Sequence, residues 1–406
     1  MVAMDNLNMK LTNLADAIRS KIGLTDKLSL DNMTESIRNF SVVVDDTKFL
    51  QREFEAYDIP SGITCIGDGA FWGCKTLKIV TIPNSITSIG KNAFRDCNIL
   101  PSITLPDSVS KIGNGAFYCC EMLESIIIPE GVDLIERDTF WKCSSLSSVK
   151  IPSSVKKIES EAFYDCSSIK TINLPSGINT ISYATFSHCT SLSSIIIPEN
   201  VTTIDDYAFN NCTSLSSVTL SKNLTSIGNQ AFYYCTSLSS IIIPDNVTSI
   251  GFSAFSGCTS LSSVTLSRNL TSIGEGSFYE TALQSIIIPE GVISIKERAF
   301  YNCAYLKSIT LPSTLTKIER SAFYGCAGLE SIIIPEGVTH IEHTAFNMCT
   351  ALKSITLPSS IISILDDVFW FCDSLTDIYC NFAEGAVSGA PWGAPKGSYV
   401  NIHYNV

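Results

Sequence analysis

Apolar residues return along this chain at a fixed interval of 23 positions. Fourteen phenylalanines mark the interval, from Phe71, Phe94 and Phe117 through Phe232 to Phe323, Phe346 and Phe369, and only the step from Phe278 to Phe300 shortens to 22. In the copy that opens at Phe232 the apolar positions are Phe232, Cys235, Leu238, Ile241, Ile243, Val247, Ile250 and Ala254. A period in this range with regularly placed apolar residues predicts a solenoid of the leucine-rich-repeat type.

The pattern inside one unit predicts its elements. Ser240 to Ile243 reads as a short strand by its β-branched content and alternation, and Pro244 ends it because proline has no N–H for a ladder. A second extended piece is expected at Val247 to Ile250, and residues 254–258 are expected to turn the corner in an irregular or single-turn helical conformation. The expected fold is therefore a stack of about 14 parallel β rungs with short irregular or helical corners, spanning residues 58–380. No unit can bury its apolar side alone, so stacking makes the core. Phe94, Cys97, Phe232 and Cys235 are typical of the positions expected to be structural.

Two further rows are superimposed on the core pattern. The strand position between the two inward apolar residues carries Ile127, Ile196, Ile242, Ile287 and Ile333, alternating with threonine from Ile196 to Thr356. This row is expected to face outward, where it is ordinary strand surface, a ligand-contacting face or a self-association stripe. The position after each phenylalanine carries Trp72, Tyr118, Trp141, Tyr164, Tyr233, Tyr279, Tyr301, Tyr324 and Trp370, interrupted by Arg95, Ser187, Asn210, Ser256 and Asn347. Flat amphipathic rings on a ridge either shield the corner between rungs or stack on sugars and anchor a protein partner.

Composition narrows the function classes. A net charge of -12 leaves no basic stripe to neutralise phosphates, which argues against nucleic acid as a partner. Of 16 cysteines, most share the core column beside the phenylalanine, where a small buried thiol fits. Equivalent side chains pointing the same way do not readily meet disulfide torsions, so free thiols are expected. Cys65, Cys119 and Cys380 lie outside that column. Single cysteines one repeat apart do not converge on a metal, and no metal or cofactor is expected. His188 and His403 are isolated, and His340 and His343 lack a third ligand signal. The recurrent glycines are turn residues rather than a phosphate loop, so an enzyme is not expected. No apolar run reaches the length of a membrane span. Charged residues among the first 22 positions, including Asp5, Lys10, Asp16, Arg19 and Lys21, argue against an export leader. A surface location within an assembly and the cytoplasm both stay open.

The ends depart from the repeat. Leu7, Leu11, Leu14, Ile18 and Ile22 recur at helical spacing, so residues 1–40 are expected to form a helical module or cap, followed by a linker or irregular first rung over 41–57. Residues 381–406, with Phe382, Gly385, Pro391, Trp392 and Gly393, are expected to form a C-terminal cap ending in a strand.

The Ala-Phe, Cys, Leu, Ser-Ile and Ile-Pro landmarks resemble the BspA-like, or Treponema-type, leucine-rich repeats of bacterial surface proteins. The resemblance covers most of the chain and implies a binding scaffold for matrix proteins or other cells, with no shared catalytic residues. The runs Leu11–Ile37 and Phe382–Pro395 are similar to terminal modules of phage tail and prophage-associated proteins. Together these resemblances imply a noncatalytic, adhesin-like protein recognising a surface protein or glycan of a host or bacterial cell. The alternative is a structural or assembly component whose solenoid is a spacer.

Overall fold

The computed structural model of the chain describes residues 52–394 and 400–405. The predicted strand at 240–243 is present as Ser240–Ile242, and the second extended piece as Ser249–Ile250. Where equivalent strands of successive repeats pair, they do so in parallel with an offset of one repeat, as Ile195 with Val218 and Ile241 with Val264. The fourteen predicted rungs are extended by Ala56–Asp58, paired with Ile79–Thr81, and by Asn401–Tyr404, paired with Asp377–Cys380. The helical N-terminal reading and most of the preceding linker fall outside the described residues.

Side chains from each repeat stack into continuous columns. The phenylalanine rings from Phe71 to Phe369 form one uninterrupted stack, with neighbouring centroids 5.0 to 6.1 Å apart and planes within 2° to 19°. This is the spacing of favourable offset stacking. Phe94, Cys97, Phe232 and Cys235 are fully buried, as expected of structural positions. From Cys97 to Cys372, every column cysteine donates its thiol hydrogen to the carbonyl of the preceding column phenylalanine, S to O 3.0 to 3.2 Å. The thiols are therefore hydrogen-bonding members of the core and not apolar fillers alone. All sixteen cysteines are free.

In the shortened repeat the donor turns to the phenylalanine carbonyl of its own repeat. Thr281 stands where the cysteine would be, and its hydroxyl donates to the Phe278 carbonyl at 3.0 Å while lying 3.2 Å from the Cys303 sulfur. One residue is lost between this position and Leu283, yet Ser272–Ile273 and Ser294–Ile295 still pair in register.

The corners are turns, and among the described residues no helix occurs, so the single-turn helical option is not taken. The reason is a backbone alternation. In all fourteen repeats the residues two before and two after the column phenylalanine have positive φ, among them Tyr207 (59°), Lys142 (56°) and Phe371 (59°). Left-handed residues four positions apart cannot propagate a helix, but alternate N–H groups along the segment point to the next rung. Around Phe232, Gln230 donates to Phe252, Phe232 to Ala254 and Tyr234 to Ser256, at 2.8, 2.8 and 2.9 Å. The corner is thus a third ladder in addition to the two strand columns.

At the C-terminus Trp392 replaces the next phenylalanine. It is 2% exposed, meets Phe369 edge-on at 6.5 Å, and accepts a hydrogen bond from the Phe369 amide through its carbonyl at 3.2 Å. Its indole N–H donates to the Ser388 carbonyl at 2.8 Å.

Truncating one ring of the stack, Phe232→Ala, removes contacts on both sides and is expected to cost about 3–5 kcal/mol, measured by chemical denaturation. Burial also raises several of the thiols, to about 12 for Cys258 and about 11 for Cys119 and Cys380. Only Cys65 is exposed. A thiol reagent at neutral pH is therefore expected to label Cys65 promptly in the native protein and the other cysteines only after unfolding.

Candidate functional site

Two surfaces carry the predicted site residues, and they do not meet in one cavity. The isoleucine row is on the outer face of the strand column, ten residues after the phenylalanine in an unshortened repeat. Ile127, Ile196, Ile242, Ile287 and Ile333 are 64 to 73% exposed, while their neighbours on either side along the strand point inward. Alternate rungs place these residues roughly 10 Å apart, two strand spacings.

The strand column is not one continuous sheet, contrary to the expectation that each rung simply extends it. Ser194–Ile196 pairs with Ser217–Thr219, and Ser240–Ile242 pairs with Ser263–Thr265, but no ladder joins Ser217–Thr219 to Ser240–Ile242. The same break recurs between Ser263–Thr265 and Ser285–Ile287, and again between Ser308–Thr310 and Ser331–Ile333. From Ile196 to Ile333 each isoleucine rung is thus paired with the threonine rung after it and unpaired with the one before. The second strand column bridges all three of these seams, since Ser226–Ile227 pairs with Ser249–Ile250, Ser272–Ile273 with Ser294–Ile295, and Lys317–Ile318 with His340–Ile341.

The seams open cavities beside the isoleucine row. One of about 570 Å³ lies between Val218, Thr219 and Leu220 on one side and Ile242, Pro244 and Asp245 on the other. A second of about 580 Å³ lies between Val264, Thr265 and Leu266 and Ile286, Ile287 and Glu290. On the rung before each of these seams the inward residues Val218, Val264 and Ile309 are only half-buried, whereas Ile241, Ile286 and Ile332 on the rung after are 3% exposed. Ile309 shows that the smaller valine is not the reason. Sequence reading missed the seams because both rung types have strand-like composition.

The aromatic ridge behaves differently from a row of free rings. Tyr118, Trp141 and Tyr164 stack face to face at 4.4 and 5.4 Å, and Tyr279, Tyr301 and Tyr324 at 4.8 and 4.5 Å. Arg95 does not interrupt the first run. Its guanidinium lies 4.0 Å from the Tyr118 ring centroid and 5.2 Å from that of Trp72, whose indole N–H donates to Asp96 at 2.9 Å. Within each run most ring faces are covered by a neighbour and the edges reach solvent. Tyr233 stands apart, packed edge-on against Tyr234 at 4.5 Å.

The histidines are held by local partners. His340 shares a hydrogen bond with Thr339 at 2.8 Å, and His403 bonds to Asp377 at 2.9 Å while stacking on Tyr379 at 4.7 Å. Among the described residues no group of three or more His, Cys, Asp or Glu side chains is placed to hold a metal, and no helix is long and apolar enough to cross a membrane.

The family model for the BspA type leucine rich repeat region (6 copies) matches residues 43–170, 133–262, 179–295 and 271–384, overlapping segments that take in nearly the whole stack. A leucine-rich repeat protein from Bacteroides ovatus, solved by crystallography, is 30% identical, with 86% of this chain and 91% of that chain covered and a TM-score of 0.79. A leucine rich cell surface protein from Faecalibacterium prausnitzii is 27% identical, covering 85% of this chain and 92% of its own, with a TM-score of 0.41. A leucine-rich repeat protein from Eubacterium ventriosum is 26% identical over 73% and 82% of the two chains, with a TM-score of 0.49. No curated protein matches the chain significantly.

The seams make a backbone prediction. The Ile197, Ile243, Ile288 and Ile334 amides donate to the paired rung at 2.8 to 3.1 Å, while the equivalent Leu220, Leu266 and Leu311 amides face seams. Residue-resolved hydrogen exchange is expected to show faster exchange for the three leucines than for the four isoleucines.

Proposed function

Because the chain belongs to the BspA-type leucine-rich repeat family, we propose that it is a noncatalytic binding protein whose outer strand face recognises a protein on a host or bacterial cell surface. The observation that carries this reading is the isoleucine row, whose members stay 64 to 73% exposed on a rigid, regularly spaced face. Exposed large aliphatic side chains repeated on one face favour burial against a partner, at about 1.5–3 kcal/mol for each side chain fully covered. Seam cavities of about 570 and 580 Å³ beside Ile242 and Ile287 give a partner's side chains somewhere to insert. The locally engaged histidines support a noncatalytic role. A surface location belongs to this proposal, since the partner it names lies there.

The test uses the full chain against arrays of cell-surface and extracellular-matrix proteins. Saturable binding is expected for at least one protein, and the combined Ile196→Lys, Ile242→Lys, Ile287→Lys and Ile333→Lys variant is expected to lose at least tenfold in affinity, about 1.4 kcal/mol. Exposed strand positions tolerate such changes, so each is expected to alter stability by no more than about 0.5 kcal/mol. Absence of any protein ligand for the folded chain, or full binding by the lysine variant, overturns the reading and favours a spacer whose ends make the contacts.

A further inference from the structure

The aromatic ridge contains one notch unlike any other point along it. The two positions after the column phenylalanine are Trp-Gly at 72–73, Arg-Asp at 95–96, Tyr-Tyr at 233–234 and Tyr-Glu at 279–280, but Ser256-Gly257 is the one repeat in which both are minimal. The missing ring leaves a cavity of about 360 Å³ between Tyr233 and Tyr234 on one side and Tyr279 on the other. Ser256 forms its floor and is 5% exposed. Gly257 has φ of 73°, and a Cβ there would lie 3.0 Å from the Tyr234 ring, so glycine is what allows that ring to lean over the notch.

The dimensions suit a flat group one rung thick. The phenylalanine column below advances 5.3 Å from Phe232 to Phe255 and 5.7 Å from Phe255 to Phe278, so Tyr233 and Tyr279 flank a vacant position two steps wide. A ring in that position meets aromatic surface on both sides at the spacing used elsewhere along the ridge. The rim is polar: Gln230, Glu275, Glu280 and Arg298 line the cavity along with Ser253 and the exposed Phe252. An aromatic side chain of a protein partner has at most one polar group to set against two carboxylates, an amide and a guanidinium. A pyranose does, because its axial C–H faces stack on tyrosine while its hydroxyls donate to carboxylates and accept from the guanidinium.

We propose that the Ser256–Gly257 notch binds a single neutral sugar ring of a glycan, clamped between Tyr233 with Tyr234 and Tyr279. A neutral sugar is specified because two carboxylates against one guanidinium, on a chain of net charge -12, repel an acidic one. This site is separate from the isoleucine face, since the notch and the seam cavities share no lining residue.

The experiment titrates the full chain with a panel of neutral oligosaccharides built on glucose, galactose, mannose and N-acetylglucosamine, read by calorimetry and by saturation-transfer NMR. At least one is expected to bind saturably. Ser256→Tyr, which inserts the residue six other repeats carry there, is expected to weaken that binding at least tenfold with an unchanged melting temperature. Tyr279→Ala is expected to weaken it comparably by removing one wall, and the isoleucine-to-lysine variant to leave it unchanged. The proposal is overturned by no binding across the panel, by binding indifferent to Ser256→Tyr and Tyr279→Ala, or by a notch that takes tryptophan- or tyrosine-containing peptides in preference to every sugar.

Discussion

Everything in this fold depends on hydrogen bonding and ring stacking between one repeat and the next, because no repeat satisfies itself. Each corner holds two residues at positive φ, a conformation costing roughly 1–2 kcal/mol per non-glycine residue. Against this stand three inter-rung hydrogen bonds, each contributing about 0.5–1.5 kcal/mol net. The backbone terms nearly cancel. Burial of the phenylalanine, about 1.5–3 kcal/mol, and of the aliphatic residues around it decides the sign, and that burial exists only when a neighbour is already in place. The end of the stack therefore matters as much as its middle. Trp392 covers Phe369 and supplies the carbonyl that the Phe369 amide would otherwise lack.

The cysteine column follows from the same corner. With a left-handed residue two positions to either side, each phenylalanine carbonyl faces the interior and, where a cysteine lies three residues on, accepts its amide, as Phe232 does from Cys235. It has capacity for a second donor, and the thiol of the next repeat occupies it. The position needs a small, weakly polar side chain that can donate and still pack against aromatic rings. Thr281, the one departure from cysteine within the column, keeps a donor but turns it to the carbonyl of its own repeat, Phe278, which also accepts the Cys303 thiol. A disulfide between column neighbours would remove two donors to join side chains that point the same way. Burial instead raises the Cys258 and Cys303 thiols and keeps them protonated, which suits donors and not nucleophiles.

The features legible in the sequence are those that repeat as side-chain chemistry. Phe232, Leu238 and Ile250 announce the core by period, and Ile242 announces an outward position by lying between Ile241 and Ile243. The corners were not legible. Glycine or asparagine marks a left-handed residue in a turn, but here Lys142, Tyr207 and Phe371 adopt that conformation, and nothing in their local propensity says so. The stack imposes the backbone, and the residue type complies. The seams were hidden for a related reason. Ile195 and Val218 are both sound strand residues, and whether their rungs pair with the following one is a property of the stack, not of either segment. Neither ridge run was visible as a stack, because the sequence shows a tyrosine's position but not that its face is already covered by a neighbour.

Where the core is held this rigidly by repetition, variation accumulates where stacking places no demand, and function resides there. Ser256 and Gly257 depart from the other repeats while Phe255 and Cys258 on either side keep full core occupancy. The Phe255 ring still stacks on both neighbours, and the Cys258 thiol still reaches the Phe232 carbonyl. Removing a ridge ring thus costs the column nothing, and a notch can open at any repeat without disturbing the scaffold. The isoleucine row obeys the same logic on another surface, since an outward residue on a strand is free to be threonine or isoleucine as far as the core is concerned. A solenoid of this kind presents several independent surfaces from one core, which is why the strand face and the ridge notch here can be read, and altered, one at a time.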